Sequence, residues 1–167
     1  SDVLFDMNSR YDVPGYGYQI AMGETALAES WQSRDYLSHN HCMLGHLYSW
    51  LFSGIGGISQ ESGSTAYKRI VIDPQIVGDL RDARVSFRSP YGLIRSEWKD
   101  AQDEFVQTIE IPANATARIC LPATDPAKVT ESGKPVSGRK DMAVESGTDG
   151  RIELHVGSGV YRIAVEK

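Results

Sequence analysis

The hydrophobic period of the chain changes once, near residue 60, and that change limits the fold more than any other feature. Between Tyr18 and Trp31, Ile20, Ala21, Leu27 and Ala28 repeat at helical spacing with no proline among them. Cys42, Met43, Leu44, Leu47, Trp50, Leu51 and Ile55 then step by threes and fours, the mark of a second helix face. Tyr48 and Phe52 widen that face until it nearly surrounds the helix, so neighbours are expected to bury it. Gly54, Gly56 and Gly57 end it, because glycine reaches φ > 0 without steric cost. Two such helices cannot cover each other's apolar surface and read as part of a larger helical body.

After Glu61-Ser62-Gly63-Ser64 the period is two. Ala83, Val85 and Phe87 alternate with Arg84, Ser86 and Arg88, and Ile94, Ser96 and Trp98 with Arg95 and Glu97. Phe105, Ile109 and Ile111 share a face with Gln107 as the exception; Ala115, Ala117, Ile119 and Leu121 form another. Ile152, Leu154 and Val156 precede Tyr161, Ile163 and Val165. Alternation of this kind means strands with one buried face. Turn formers separate them at Ser89-Pro90-Tyr91-Gly92, Pro112-Ala113-Asn114, Ser132-Gly133-Lys134-Pro135 and Gly157-Ser158-Gly159. The fold expected is therefore mainly β: an antiparallel β-sandwich over residues 61–167, preceded in residues 1–60 by two α-helices from an incomplete helical domain.

A net charge of −5 argues against nucleic acid, which demands a basic face. No run approaches the ~18 apolar residues of a membrane span. The N-terminus carries no leader of basic and apolar residues, and Ser1-Asp2 is not a natural start, so the chain is expected to be part of a longer one. Cys42 and Cys120 are too few for a disulfide framework and are read as two reduced thiols, Cys120 at an outward-phased strand position.

Chemistry concentrates in Gly23-Glu24-Thr25-Ala26-Leu27-Ala28-Glu29-Ser30-Trp31 and Ser38-His39-Asn40-His41-Cys42-Met43-Leu44-Gly45. Lys68-Arg69-Ile70-Val71-Ile72-Asp73-Pro74 and Ser89-Pro90-Tyr91-Gly92-Leu93-Ile94-Arg95-Ser96-Glu97-Trp98 follow. In order and spacing these stretches resemble the C-terminal part of the bacterial α-L-rhamnosidases. There, G-x-T-x-L-x-E-x-W and S-x-N-H-x-x-x-G belong to an (α/α)6 catalytic barrel, and the other two motifs open the β-sandwich behind it. The resemblance covers nearly the whole chain and fades after about residue 125. It implies hydrolysis of terminal α-L-rhamnose with inversion, no cofactor, and the rest of the parent's helical barrel as partner. No residue pattern fixes the compartment, and a periplasmic or secreted bacterial setting is preferred to a cytoplasmic one.

By that resemblance Glu29 is the general base that activates water. The physical case agrees: Glu29 stands in an uncharged, apolar stretch beside Trp31, where a carboxylate without a purpose is unusual. His41 matches a sugar-contacting histidine, and Trp31 offers an apolar face to sugar C–H groups. The blander alternatives are a surface glutamate for Glu29 and a helix-start histidine behind an Asn40 N-cap for His41. Glu24 departs from the small residue usual in the family. The family's general acid lies in an acidic motif upstream that this chain does not contain, so the chain alone is expected to be inactive. A metal reading rests on His39, His41, Cys42 and His46, with Cys42 and His46 at helical i,i+4 spacing, but no further ligand pair follows and no metal is expected. Three readings compete: the enzyme part, a carbohydrate-binding or structural sandwich module, and a barrel glycosidase of other sugar specificity. The G-x-T-x-L-x-E-x-W segment favours the first over the second. The wide apolar face of Leu44, Leu47, Trp50, Leu51 and Ile55 further predicts self-association.

Overall fold

A computed structural model describes residues 1–147 and 149–167. The chain forms two compact units, Ser1–Leu51 with Val77–Asp79, and Phe52–Ile76 with Leu80–Lys167.

The first unit holds three short helices, α1 (Asp2–Ser9), α2 (Tyr16–Ala21) and α3 (Leu47–Trp50). The helix expected from Tyr18 to Trp31 stops early, because Gly23 turns the chain at φ +86 and the segment beyond it runs in turns. Its inward residue is also one position from the expected one: Gln19 is 3% exposed while Ile20 is 65% exposed. The second expected helix is shorter as well. From Cys42 the backbone winds through three-residue turns, Gly45 N–H to the Cys42 carbonyl and Tyr48 N–H to that of Gly45, before becoming α-helical at Leu47. Asn40 is therefore not an N-cap; His46 occupies that position for α3. Met43, Tyr48 and Leu51 stay exposed, the apolar surface that two helices without the rest of their body were expected to leave. A single π-turn, Leu51–Ile55, follows α3.

The second unit is a sandwich of two sheets. The strands are β1 (Ile58–Gln60), β2 (Arg69–Ile72), β3 (Asp82–Ser89), β4 (Gly92–Asp100), β5 (Glu104–Ile111) and β6 (Thr116–Leu121). After a 3₁₀ turn at Pro126–Lys128 come β7 (Val129–Glu131), β8 (Lys134–Pro135), β9 (Ala143–Ser146), β10 (Ile152–Val156) and β11 (Gly159–Glu166). One sheet has the order β1-β2-β6-β10-β9 and the other β3-β4-β5-β11-β7-β8. All pairings are antiparallel except β2 with β6, which run parallel because the chain visits the second sheet between them. The inward rows follow the alternation at Ile119, Leu121, Ile152 and Leu154 in one sheet and at Ile94, Trp98, Phe105, Ile109 and Ile163 in the other, while β2 buries Ile70, Val71 and Ile72 in a row. Full burial of such a side chain contributes ~1.5–3 kcal/mol.

Three details fix the sandwich. Gln107 also points inward, where its amide donates to the Ser96 hydroxyl at 3.2 Å. Trp98 donates its indole N–H to the Ile55 carbonyl at 2.8 Å. Gly57 enters β1 at φ +70, and a Cβ there would lie 2.2 Å from the Pro74 nitrogen, so no other residue fits. Among the described residues no helix is long and apolar enough to cross a membrane.

Candidate active site

The residues singled out by sequence lie in the first unit, on two irregular segments clasped together. Glu29 N–H donates to the Ser38 carbonyl at 2.8 Å, and His41 N–H donates to the Leu27 carbonyl at 2.8 Å. The clasp sets Glu29 opposite Ser38, whose own N–H donates to Glu29 Oε2 at 3.1 Å. One carboxylate oxygen is thus held by a backbone donor, and Glu29 is only half exposed.

Behind Glu29 stands Gln19. Its Oε1 accepts from Ala28 N–H, and its Nε2 donates to the Ser30 carbonyl, both at 3.2 Å. With the two clasp bonds, a backbone group of each of Leu27, Ala28, Glu29 and Ser30 is engaged. Irregular backbone needs such partners, because a buried N–H or C=O left unpaired costs ~1–3 kcal/mol. Gln19 was not singled out from the sequence. The signal available was its lone amide among the aromatic and apolar residues of Tyr16–Ala21.

His41 sits on the other arm of the clasp. Its Nδ1 accepts from Met43 N–H at 3.1 Å, which places the proton of the neutral ring on Nε2 and leaves that N–H to donate elsewhere. His39 pairs instead with Glu24, Nδ1 to Oε1 at 2.7 Å, so the carboxylate that departs from the family pattern is occupied by an imidazole.

Trp31 belongs to a neighbouring feature. Tyr16 meets it edge to face, centroids 4.9 Å apart at 88°, and the Tyr16 hydroxyl donates to the Leu44 carbonyl. Burial pushes the Tyr16 phenol above its ordinary pKa. Together they line a cleft of about 350 Å³ with Leu4, Met7, Leu47 and Trp50. Glu29 and His41 do not line that cleft, so the structure joins those two on the clasp and places Trp31 against an aromatic wall.

His39, His41 and His46 are engaged separately. His39 holds Glu24, His41 is fixed by Met43 N–H, and His46 lines the Trp31 cleft. Cys42 and His46 precede α3 rather than riding on a helix, so helical i,i+4 spacing does not apply to them. Among the described residues no three His, Cys, Asp or Glu side chains are grouped to hold a metal ion.

Residues 1–55 match the bacterial alpha-L-rhamnosidase 6 hairpin glycosidase domain, and residues 57–135 the bacterial alpha-L-rhamnosidase C-terminal domain. An alpha-L-rhamnosidase of Streptomyces avermitilis is 30% identical over an alignment that covers 99% of this chain and 16% of the relative. The crystal structure of Streptomyces avermitilis alpha-L-rhamnosidase complexed with L-rhamnose superposes with a TM-score of 0.85 at 29% identity, covering 98% of this chain and 16% of that one. The alpha-L-rhamnosidase from Dictyoglumus thermophilum also gives 0.85, at 27% identity over 99% of this chain and 19% of its own. The chain therefore spans less than a fifth of the length of these relatives. With one rhamnosidase domain model matching its helical segment and a second most of its strands, the chain belongs to the bacterial α-L-rhamnosidase family and corresponds to the C-terminal part of its members.

Proposed function

We propose that the chain is the C-terminal portion of an inverting α-L-rhamnosidase that removes terminal α-L-rhamnose from glycans or glycosides. The residues before β1 contribute to the catalytic helical barrel, and the chain from β1 (Ile58–Gln60) onward forms the closing sandwich. In this reading Glu29 is the general base, His41 and Trp31 bind the sugar, and the general acid comes from barrel residues outside this chain. The chain by itself is then inactive.

The observation that carries the reading is the Glu29 carboxylate, half exposed and oriented by Ser38 N–H on the same clasp as His41. A base in inverting hydrolysis must hold a water against the anomeric carbon, with ~6.5–9.5 Å between the two carboxyl groups to leave room for it. A carboxylate with one oxygen anchored and the other unengaged among the described residues suits that task. His41, with Nε2–H presented, suits a hydroxyl acceptor on the sugar.

The test is Glu29→Gln in the complete enzyme. The amide keeps the size and the Ser38 contact but takes no proton, so kcat should fall ~10²–10⁴-fold with KM little changed. Azide should restore part of the rate, since a small anion needs no base. Proton NMR of the first-formed sugar should show inverted configuration. Near-normal kcat in the variant would remove Glu29 from the role, and a product of retained configuration would remove the mechanism.

A further inference from the structure

Glu29 occupies irregular backbone, and a base on irregular backbone needs something rigid behind it. α2 is only six residues long, but it supplies that support through one side chain. Gln19 is 3% exposed, and its two amide atoms reach the residues on either side of Glu29 rather than Glu29 itself. The backbone of Gln19 is fixed in turn: its N–H donates to the Gly15 carbonyl at 3.0 Å, and its carbonyl accepts from Glu24 N–H at 3.0 Å. An amide is a neutral planar head that accepts through its oxygen and donates through its nitrogen, as a pair of neighbouring peptides requires. Leucine would fill the space and satisfy neither peptide; glutamate would accept from Ala28 N–H but could not, when ionised, donate to the Ser30 carbonyl.

We infer that Gln19 is a positioning residue for the hydrolytic base, setting the direction of the Glu29 carboxylate by holding the Ala28 and Ser30 peptides. The inference rests on Glu29 being the base. Gln19 touches neither water nor sugar in this scheme; it acts only through the segment it holds. Misplacement of a reacting group by about 1 Å costs up to ~10²-fold in rate, so the effect should appear in kcat.

The experiment uses the complete enzyme with Gln19→Leu, Gln19→Glu and Glu29→Gln, each normalised to folded protein by near-UV circular dichroism and thermal melting. Gln19→Leu should lower kcat by roughly 10- to 100-fold with KM changed less than about threefold. Gln19→Glu, near in shape, places a second carboxylate behind Glu29 and should move the acidic limb of the kcat/KM profile to higher pH by about one unit. The Glu24–His39 pair and His41, the other titratable groups of the clasp, are the same in all variants. A residue with a merely structural part would lower the folded fraction and leave kcat and KM per folded molecule unchanged, while the limb shift of Gln19→Glu reports that position 19 lies within Coulomb reach of Glu29. If folded Gln19→Leu keeps its kcat, or Gln19→Glu leaves the limb in place, the inference is overturned. If Gln19→Leu does not fold, Gln19→Asn, which keeps the amide but withdraws it by one methylene, decides by the same kcat reading. Glu29→Gln separates the two claims: undiminished kcat there defeats the reading of Glu29, whereas a large loss there with none in the Gln19 variants defeats only the positioning role.

Discussion

The two cysteines show how local surroundings divide residues of one type. Cys42 is exposed on the turn before α3. Cys120 has the outward phase expected of it, opposite Ile119 and Leu121, yet it is 3% exposed. Charged side chains cover it: Arg118 Nη1 lies 3.4 Å from its sulfur, and Arg118 pairs with Glu153 at 2.7 Å. Burial, with Asp73 adding like charge, pushes the Cys120 thiol up to about 11. Reagent reaches Cys42 from solvent, whereas Cys120 is both covered and held as the unreactive thiol at pH 8. Native protein should therefore release one equivalent of chromophore quickly from a disulfide reagent at pH 8, and the second only in denaturant. Cys42→Ser should abolish the fast phase. Two fast equivalents in native protein would contradict the burial of Cys120.

Strands and helices differ in how openly the sequence declares them, and particular residues show why. Ile119 and Leu121, or Ile152 and Leu154, alternate strictly because a sandwich strand has one wet and one dry face, and each lies inward as the pattern requires. The helical half was legible in kind but not in extent. Ile20 sits at helical spacing yet faces outward, while Gln19 turns inward to serve peptides that are distant in sequence. No local period encodes a bond made to a segment nine residues away. Glu29 is marked by its motif and its apolar surroundings, and His41 by its motif; that Ser38 and Met43 N–H groups orient them depends on the clasp. Loop attachments in the sandwich are equally hidden. β7 ends on Glu131, 7% exposed, whose carboxylate accepts from the Ser132 hydroxyl and from Arg139, each at 2.6 Å. Burial, the largest single influence, opposes its ionisation, but the bonds from Ser132, Arg139 and the Arg162 N–H together hold Glu131 below the ordinary range. A depressed carboxylate contributes stability that is complete above its unfolded pKa of ~4.3 and is lost as pH falls through the lower folded value. Urea midpoints should thus drop as pH goes from 5 towards 3, and Glu131→Gln should flatten that slope while lowering stability at pH 7. An unchanged acid slope in the variant would show that other carboxylates carry it.

Across the whole chain, apolar exposure is unevenly shared. Among the described residues eleven large apolar side chains are exposed, and ten of them, from Val3 to Leu51, lie in Ser1–Leu51; Val160 alone belongs to the sandwich. Val3 is 71% exposed, Ile20 65%, and Met7 and Met43 60% each. Single exposed residues are ordinary, but ten within about fifty positions are what a surface built to be covered presents. In the reading proposed above, the cover is the rest of the helical barrel. Without it, water meets that surface, and the cheapest replacement is a second copy of the same chain. A net charge of −5 spread over 167 residues repels too weakly to prevent this at physiological salt, where the Debye length is ~8 Å. The 167-residue chain should therefore sediment as dimers or larger species at micromolar concentration, bind an apolar dye, and associate no less at high salt, since burial of apolar surface drives the contact. A shorter chain of residues 52–167 should bind the dye weakly and sediment as a monomer. Substituting Met7 and Met43 by lysine in the longer chain should shift it towards monomer without altering the sandwich, whose core contains neither residue. A salt-independent monomer with little dye binding in the 167-residue chain would mean that the exposed residues of the first unit do not act as one surface.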